Sequence, residues 1–234
     1  GIASVIRRET LTLQMGNSFG HHFEETNLTS SVVKIENGHI VGKQFDVGNG
    51  QLVDAFLGIP FAKPPVGDLR YQKPQKPDSW EGVRECKKHG PRAPQSDLPI
   101  EKLSVRVPKS EDCLYLNVFA PEPFHNEGTG KAVLVFVHGG GFVMHTSANY
   151  GDIGICKYLC TKDVVVVTIQ YRMGMLGFMA TGDDNCVPNL GLWDQAFALH
   201  WVKDNIAAFG GDPDNITVFG QSAGGASVDM LCLS

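Results

Sequence analysis

The chain has 234 residues, 42% of them hydrophobic, with 20 Lys and Arg against 25 Asp and Glu for a formal net charge of −5, enough apolar material for one substantial core. This acidic balance excludes a nucleic acid as the main partner, because binding a phosphate backbone needs clustered Lys and Arg. The apolar runs, Val164 to Ile169 among them, fall far short of the roughly 20 residues a membrane-crossing helix requires, so no transmembrane segment is expected.

Residues 1–31 read as a disordered tail without a secretory apolar region. If Met15 were the start, Gly16 would be exposed for myristoylation, although Gly20 stands where that motif usually carries Ser or Thr. The plainer alternative is an unstructured leader. Asn27-Leu28-Thr29 and Asn215-Ile216-Thr217 fit the glycosylation sequon, which matters only in a secreted chain.

Residues 32–234 read as one domain. From Val32 to Phe56 short strands are separated by Glu36-Asn37-Gly38 and Gly48-Asn49-Gly50, whose Asn-Gly pairs predict hairpins and an antiparallel lead-in. Pro60, Pro64, Pro65, Pro74 and Pro77 predict an irregular segment up to Trp80, since proline fixes φ and removes donors. Leu114 to Phe119 alternates with period two. Ala132 to Val137 and Val164 to Ile169 are nearly continuous apolar runs, as suits inner strands covered on both faces. Tyr150 to Lys162 and Trp193 to Phe209 have helical spacing and would serve as crossovers. Gly210-Gly211-Asp212-Pro213 stops the second, Ile216 to Phe219 returns as a strand, and a further helix starts at Ala223. The alternation of strand and helix predicts a doubly wound α/β fold with a mostly parallel central sheet.

Two motifs carry chemistry. Gly220-Gln221-Ser222-Ala223-Gly224 follows a strand and opens a helix, the sequence of a nucleophile elbow that lifts a serine hydroxyl clear of the sheet edge. His138-Gly139-Gly140-Gly141-Phe142 ends another strand, and its main-chain N–H groups can form an oxyanion hole. Ser222 is the candidate nucleophile, with the plainer alternative that it merely caps the following helix. Gly140, Gly141 and Ala223 are the candidate oxyanion donors, against a simple strand-ending loop. Of the eight histidines, at 21, 22, 39, 89, 125, 138, 145 and 200, none follows Ser222, and only ten residues follow Gly224. Elbows of this type place the acid and the histidine downstream, so the chain as given is expected to be catalytically incomplete, truncated after the elbow. Cys156-x-x-x-Cys160 lacks a nearby His pair and reads as one turn of buried thiols rather than a zinc site. No metal or other cofactor is expected.

Together with Ala55-Phe56-Leu57-Gly58-Ile59-Pro60-Phe61-Ala62 and Ser110-Glu111-Asp112-Cys113-Leu114-Tyr115-Leu116-Asn117, these motifs resemble the type-B carboxylesterases, the cholinesterase-like branch of the α/β-hydrolases. The wording between the motifs looks most like invertebrate members, nematode ones in particular. The resemblance covers about Val32 to the last residue. It implies the N-terminal part of an α/β-hydrolase that cleaves carboxylic esters through a serine acyl-enzyme without a cofactor, Ser222, Gly140, Gly141 and Ala223 standing at the matching positions. It further implies a Cys86–Cys113 disulfide and buried ion pairs Arg70–Glu111 and Arg172–Asp194. A disulfide favours an extracellular setting, against a cytoplasmic chain or one anchored through Gly16. Cholinesterases carry a tryptophan inside the first cysteine loop to hold a quaternary ammonium, whereas residues 87–112 contain no aromatic side chain here, and neutral Gln221 replaces their glutamate before the serine. The expected partner is therefore a small uncharged ester. The same fold also serves neuroligin-like adhesion ectodomains that have lost the nucleophile, a reading that Ser222 and the intact glycine motif oppose.

Overall fold

A computed structural model of the chain describes residues 28–97, 107–124, 130–183 and 186–234. Residues 1–27, with Met15, Gly16 and Asn27, lie outside the described residues; the expected tail ends sooner than residue 31, since Leu28 and Thr29 pair antiparallel with Gln44 and Lys43. Among the described residues the strands are β1 (Leu28–Thr29), β2 (Val33–Ile35), β3 (Gly38–Val41), β4 (Lys43–Asp46), β5 (Leu52–Pro60), β6 (Val83–Glu85), β7 (Tyr115–Pro121), β8 (Lys131–Val137), β9 (Val165–Ile169) and β10 (Gly211–Gly220). The α-helices are α1 (Ile153–Tyr158), α2 (Gly174–Phe178), α3 (Leu190–Asn205) and α4 (Ala223–Cys232). None of the described helices is long and apolar enough to cross a membrane.

Seven strands form the main sheet in the order β1-β4-β5-β7-β9-β8-β10, while β2, β3 and β6 make a small second sheet. Both Asn-Gly hairpins form, joining β2 to β3 and β4 to β5. The antiparallel lead-in extends further than the sequence suggests. It runs through β7 to β9, and the parallel part comprises β9, β8 and β10.

Period-two alternation sorts the inner strands between two cores. Val118, Val133, Val135, Val165 and Val167 face one side, where Ala198, Trp201 and Val202 of α3 cover them. Phe119 and Val166 face the other side, against Ile155 and Cys156 of α1 and Cys160 just beyond it. The crossover from β8 to β9 thus passes over one face and the crossover from β9 to β10 over the opposite face. This is the doubly wound arrangement, and it leaves a crevice at the carboxyl ends of the central strands.

The helices differ from expectation at their ends. The segment expected as a helix from Tyr150 to Lys162 is broken because Gly151 takes φ 68°. A 3₁₀ turn, Ser147–Tyr150, precedes it, and α1 then starts with the Asp152 carboxylate accepting from the Ile153 N–H. Helix α3 begins at Leu190, before the expected Trp193. Its buried stripe includes Asp194 and Gln195, polar positions that an apolar count passes over, whereas Trp193 is exposed. Its last turn tightens into 3₁₀, Ile206–Phe209. Strand β10 starts at Gly211 rather than Ile216, with a shift of register between the two.

Arg172 and Asp194 are both buried. The Arg172 Nε and Nη2 donate to the two Asp194 carboxylate oxygens at 2.8 and 2.7 Å, its main-chain N–H adds a third bond at 3.0 Å, and Nη1 donates to the Gln72 carbonyl at 2.8 Å. Burial pushes the Asp194 carboxyl up and the Arg172 bonds oppose that rise. Removing one partner strands a charge in the interior, so Asp194→Asn is expected to destabilise the fold by about 3–5 kcal/mol. Urea unfolding measures this, and a loss under about 1 kcal/mol would show that the pair is dispensable. Arg70 and Glu111 also pair, at 2.5 and 2.8 Å. Contrary to expectation this pair is not buried. The two side chains are 45% and 28% exposed, so water screens it and its contribution is small.

The Cys86–Cys113 bridge is likewise not formed, since both are buried free thiols. Burial pushes the Cys86 thiol up to about 11 and raises Cys113 as well.

Asp54, fully buried on β5, accepts from Gln44 Nε2 at 2.8 Å and from the Ser31 N–H at 3.1 Å. Burial pushes its carboxyl up to about 7, the Gln44 bond lowers it and the neighbouring Glu122 adds to the rise. The folded state therefore keeps a proton that the unfolded state has lost between about pH 4 and 7. The stabilisation is complete below the ordinary carboxylate range and disappears as pH rises through about 7. Stability should fall over this window, and Asp54→Asn should flatten the fall. An unchanged slope in the variant would assign the dependence to other groups.

Candidate active site

The register of two parallel strands creates the site. Val137 of β8 pairs with Gly220 of β10, and the Gln221 N–H donates to the Val137 carbonyl at 3.3 Å. The next residues of both strands therefore leave the same edge of the sheet side by side, roughly 5 Å apart. A Cβ on Gly139 would lie 2.4 Å from the Gln221 carbonyl oxygen and 3.1 Å from the Ser222 Cβ, and one on Gly224 would lie 2.1 Å from the Val137 carbonyl oxygen. Two segments more than 80 residues apart in sequence thus touch through main chain, an approach that only residues without side chains permit.

Ser222 adopts φ 55°, ψ −122° at the boundary between β10 and α4. A non-glycine residue there is strained by about 1–3 kcal/mol, a cost that persists only where the surroundings enforce it. Its residue is exposed, and its side chain does not cap the helix, so the capping alternative finds no support. The helix α4 following it directs the positive end of its dipole toward this position. Buried Gln195 on α3 donates to the Ser227 hydroxyl at 3.2 Å, which donates to the Ala223 carbonyl at 3.0 Å, fixing α4 under the elbow.

The glycine turn is held from below. The His138 ring is fully buried and stacks on Tyr171 at 4.6 Å, and the Tyr171 hydroxyl donates to the His138 carbonyl at 2.8 Å. His138 Nδ1 lies 2.9 Å from the Gly139 carbonyl oxygen, an acceptor, so this nitrogen carries the proton. Burial pushes the imidazole down to about 4, so it stays neutral at physiological pH. His138 is therefore a strut beneath the turn. The Tyr150 hydroxyl donates to Gln221 Oε1 at 3.5 Å, and its ring lies edge-on to His145 at 5.7 Å. Among the described residues, no acceptor takes the main-chain N–H of Gly140, Gly141 or Ala223. Gly140 is half-buried with φ 106°, and Gly141 is exposed with φ 61°.

Nor is the Ser222 hydroxyl hydrogen-bonded to any histidine or carboxylate among the described residues. The contacts that sequence reasoning missed are those that support the turn: Tyr150, Tyr171, and Gln95, whose side-chain amide bonds the main chain of His145. His21, His22 and His125 lie outside the described residues; His89 lies in an early loop, His138 and His145 in the glycine turn and His200 on α3, whereas His39, expected in a loop, lies on β3.

A strand-to-helix elbow bearing a strained serine at the carboxyl edge of a doubly wound sheet defines the α/β-hydrolase class. The sequence profile of the carboxylesterase family matches residues 29–234, and the chain belongs to that family. It is 45% identical over 226 residues to the esterase cest-33 of Caenorhabditis elegans, covering 94% of this chain and 40% of that protein. It is 47% identical over 190 residues to the acylcarnitine hydrolase of Mus musculus, covering 78% of this chain and 33% of that protein. The cocaine esterase of Homo sapiens is 42% identical over 214 residues, with 88% and 38% covered. The chain thus spans 40% or less of the length of these relatives.

Proposed function

We propose that the chain carries the nucleophile and the oxyanion donors of a serine carboxylic-ester hydrolase. Ser222 Oγ attacks the ester carbonyl carbon as its proton passes to a general base. The resulting tetrahedral oxyanion accepts hydrogen bonds from the N–H groups of Gly140, Gly141 and Ala223, the alcohol leaves with a proton, and water then releases the acid from the acyl-enzyme. The base and its orienting acid are assigned to segments outside the described residues, since no described side chain bonds to the Ser222 hydroxyl. The observation that carries the reading is the meeting of an exposed, strained serine with three main-chain donors that have no acceptor among the described residues. Donors already fixed in place act on the developing charge without reorganisation.

The substrate we assign is an uncharged ester. The neutral Gln221 is exposed beside the nucleophile. Phe142 lies edge-on to Phe178 at 5.0 Å and its carbonyl accepts from the Gly174 N–H at 2.7 Å. This fastens α2, with its 76% exposed Met175, to the glycine turn and gives that neighbourhood an apolar character suited to acyl chains.

A fluorophosphonate probe tests the reading in the full-length protein. Labelling should map to the peptide containing Ser222, and absence of labelling would leave a non-catalytic role. A short p-nitrophenyl ester should be hydrolysed in preference to acetylthiocholine, and the reverse preference would overturn the assignment of substrate.

A further inference from the structure

We propose that Gln95 is a positioning residue for the oxyanion donors, its side-chain amide clamping the main chain of His145 and so holding the turn from Gly140 to His145 against Ser222. The inference rests on the acyl-transfer reading above and adds a residue to it. Gln95 Oε1 accepts from the His145 N–H at 2.6 Å and Gln95 Nε2 donates to the His145 carbonyl at 2.9 Å, across 50 residues of sequence. One primary amide thereby satisfies both polar groups of a single residue, as a neighbouring strand would.

That residue needs holding. His145 has φ 92°, a region that side-chain-bearing residues avoid, and such strain persists only where surrounding contacts impose it. The turn is also tight enough to transmit position. The N–H groups of Val143 and Met144 both donate to the Gly140 carbonyl at 3.1 Å. A Cβ placed on Gly140 would meet the Met144 carbonyl oxygen at 2.0 Å and the His145 Cβ at 2.7 Å. Displacing residues 144 and 145 therefore shifts Gly140. On the far side the chain is already fixed to the sheet, the Ser147 N–H donating to Gln170 Oε1 at 2.9 Å and Gln170 Nε2 to the Thr146 hydroxyl at 2.8 Å. Gln95 is the anchor from the opposite side. Its own segment is braced, Arg92 and Lys109 each approaching Asp97 at 2.8 Å.

The test uses Gln95→Ala and Gln95→Glu in the full-length protein. Glutamate keeps the acceptor for the His145 N–H and loses the donor to its carbonyl. With a p-nitrophenyl ester, Gln95→Ala should lower kcat by about 10–100-fold, the scale expected when catalytic groups are displaced by up to about 1 Å. KM should change by less than about threefold, because the lost interaction belongs to the transition state. Gln95→Glu, which sets a carboxylate oxygen against the His145 carbonyl, should lower kcat at least as much as Gln95→Ala. Binding of a trifluoromethyl ketone, which presents an oxyanion, should weaken in parallel with kcat/KM. Amide exchange in peptides covering 139–147 should accelerate in Gln95→Ala, with the unfolding midpoint little changed. Unaltered kcat, an effect on KM alone, or unaltered exchange would overturn the proposal. If the wild-type protein fails to turn over esters, the acyl-transfer reading fails instead, and the exchange measurement still decides whether Gln95 holds the turn.

Discussion

Replacing Ser222 with alanine should abolish ester turnover in the full-length protein, a loss on the order of 10⁶ in kcat by analogy with nucleophile removal in other serine hydrolases. It should also abolish fluorophosphonate labelling. The backbone of Ser222 adds a second, independent signature. At φ 55°, ψ −122° a Cβ is strained whichever side chain it bears, so alanine keeps the strain while glycine relieves it. Ser222→Gly should therefore be more stable than Ser222→Ala by about 1 kcal/mol, even though glycine ordinarily costs about 0.5–1 kcal/mol in lost chain entropy. Both variants should be inactive. A serine without a catalytic role would leave turnover and labelling intact on substitution, and a Gly variant less stable than the Ala variant would remove the strain argument. Such a result pair, with stability rising as activity vanishes, is what a site held in a costly conformation for chemistry predicts.

The elements nearest the chemistry were the most legible in the sequence, for physical reasons. Strands covered on both faces must be apolar throughout, so Ala132 to Val137 and Val164 to Ile169 show themselves as continuous runs, and both become inner strands, β8 and β9. The elbow and the glycine turn are legible because close main-chain approach leaves small residues at fixed spacing, which the distances at Gly139 and Gly224 reflect. Elements that depend on polar burial were less legible. The expected start of α3 falls three residues late, at Trp193 against Leu190, and its inner face carries Asp194 and Gln195, satisfied by Arg172 and Ser227. Without those distant partners their burial has no sign in the sequence. Similarly, the exposure of Arg70–Glu111 and the break at Gly151 depend on what packs around them. The Gln95 clamp was illegible altogether. A single glutamine 50 residues from its acceptor has no periodicity or spacing to announce it.

Gly140→Ala should reduce kcat/KM by about 10²–10³, the cost of losing one oxyanion donor, and it should do so far more severely than Gly141→Ala. Both glycines have positive φ, 106° and 61°, so both substitutions are strained. Their surroundings differ. At Gly140 the added Cβ would sit 2.0 Å from the Met144 carbonyl oxygen, a main-chain atom that cannot rotate away, so the turn must open and carry its N–H off target. At Gly141 nothing lies within 4 Å of the new atom, which would point into open space. Its φ of 61° is a left-handed value that alanine tolerates at a cost of roughly 1–2 kcal/mol, without moving a neighbour. Steady-state kinetics on the two variants, with the trifluoromethyl ketone as a probe of the oxyanion site, separates the cases. If Gly140→Ala retained activity within about threefold of wild type, the turn would be compliant and its donors dispensable, against what preorganised donors require. If instead Gly141→Ala proved the more damaging, the exposed amide of Gly141 would carry the transition-state charge, and the tight closure of Met144 onto Gly140 would serve only to aim it.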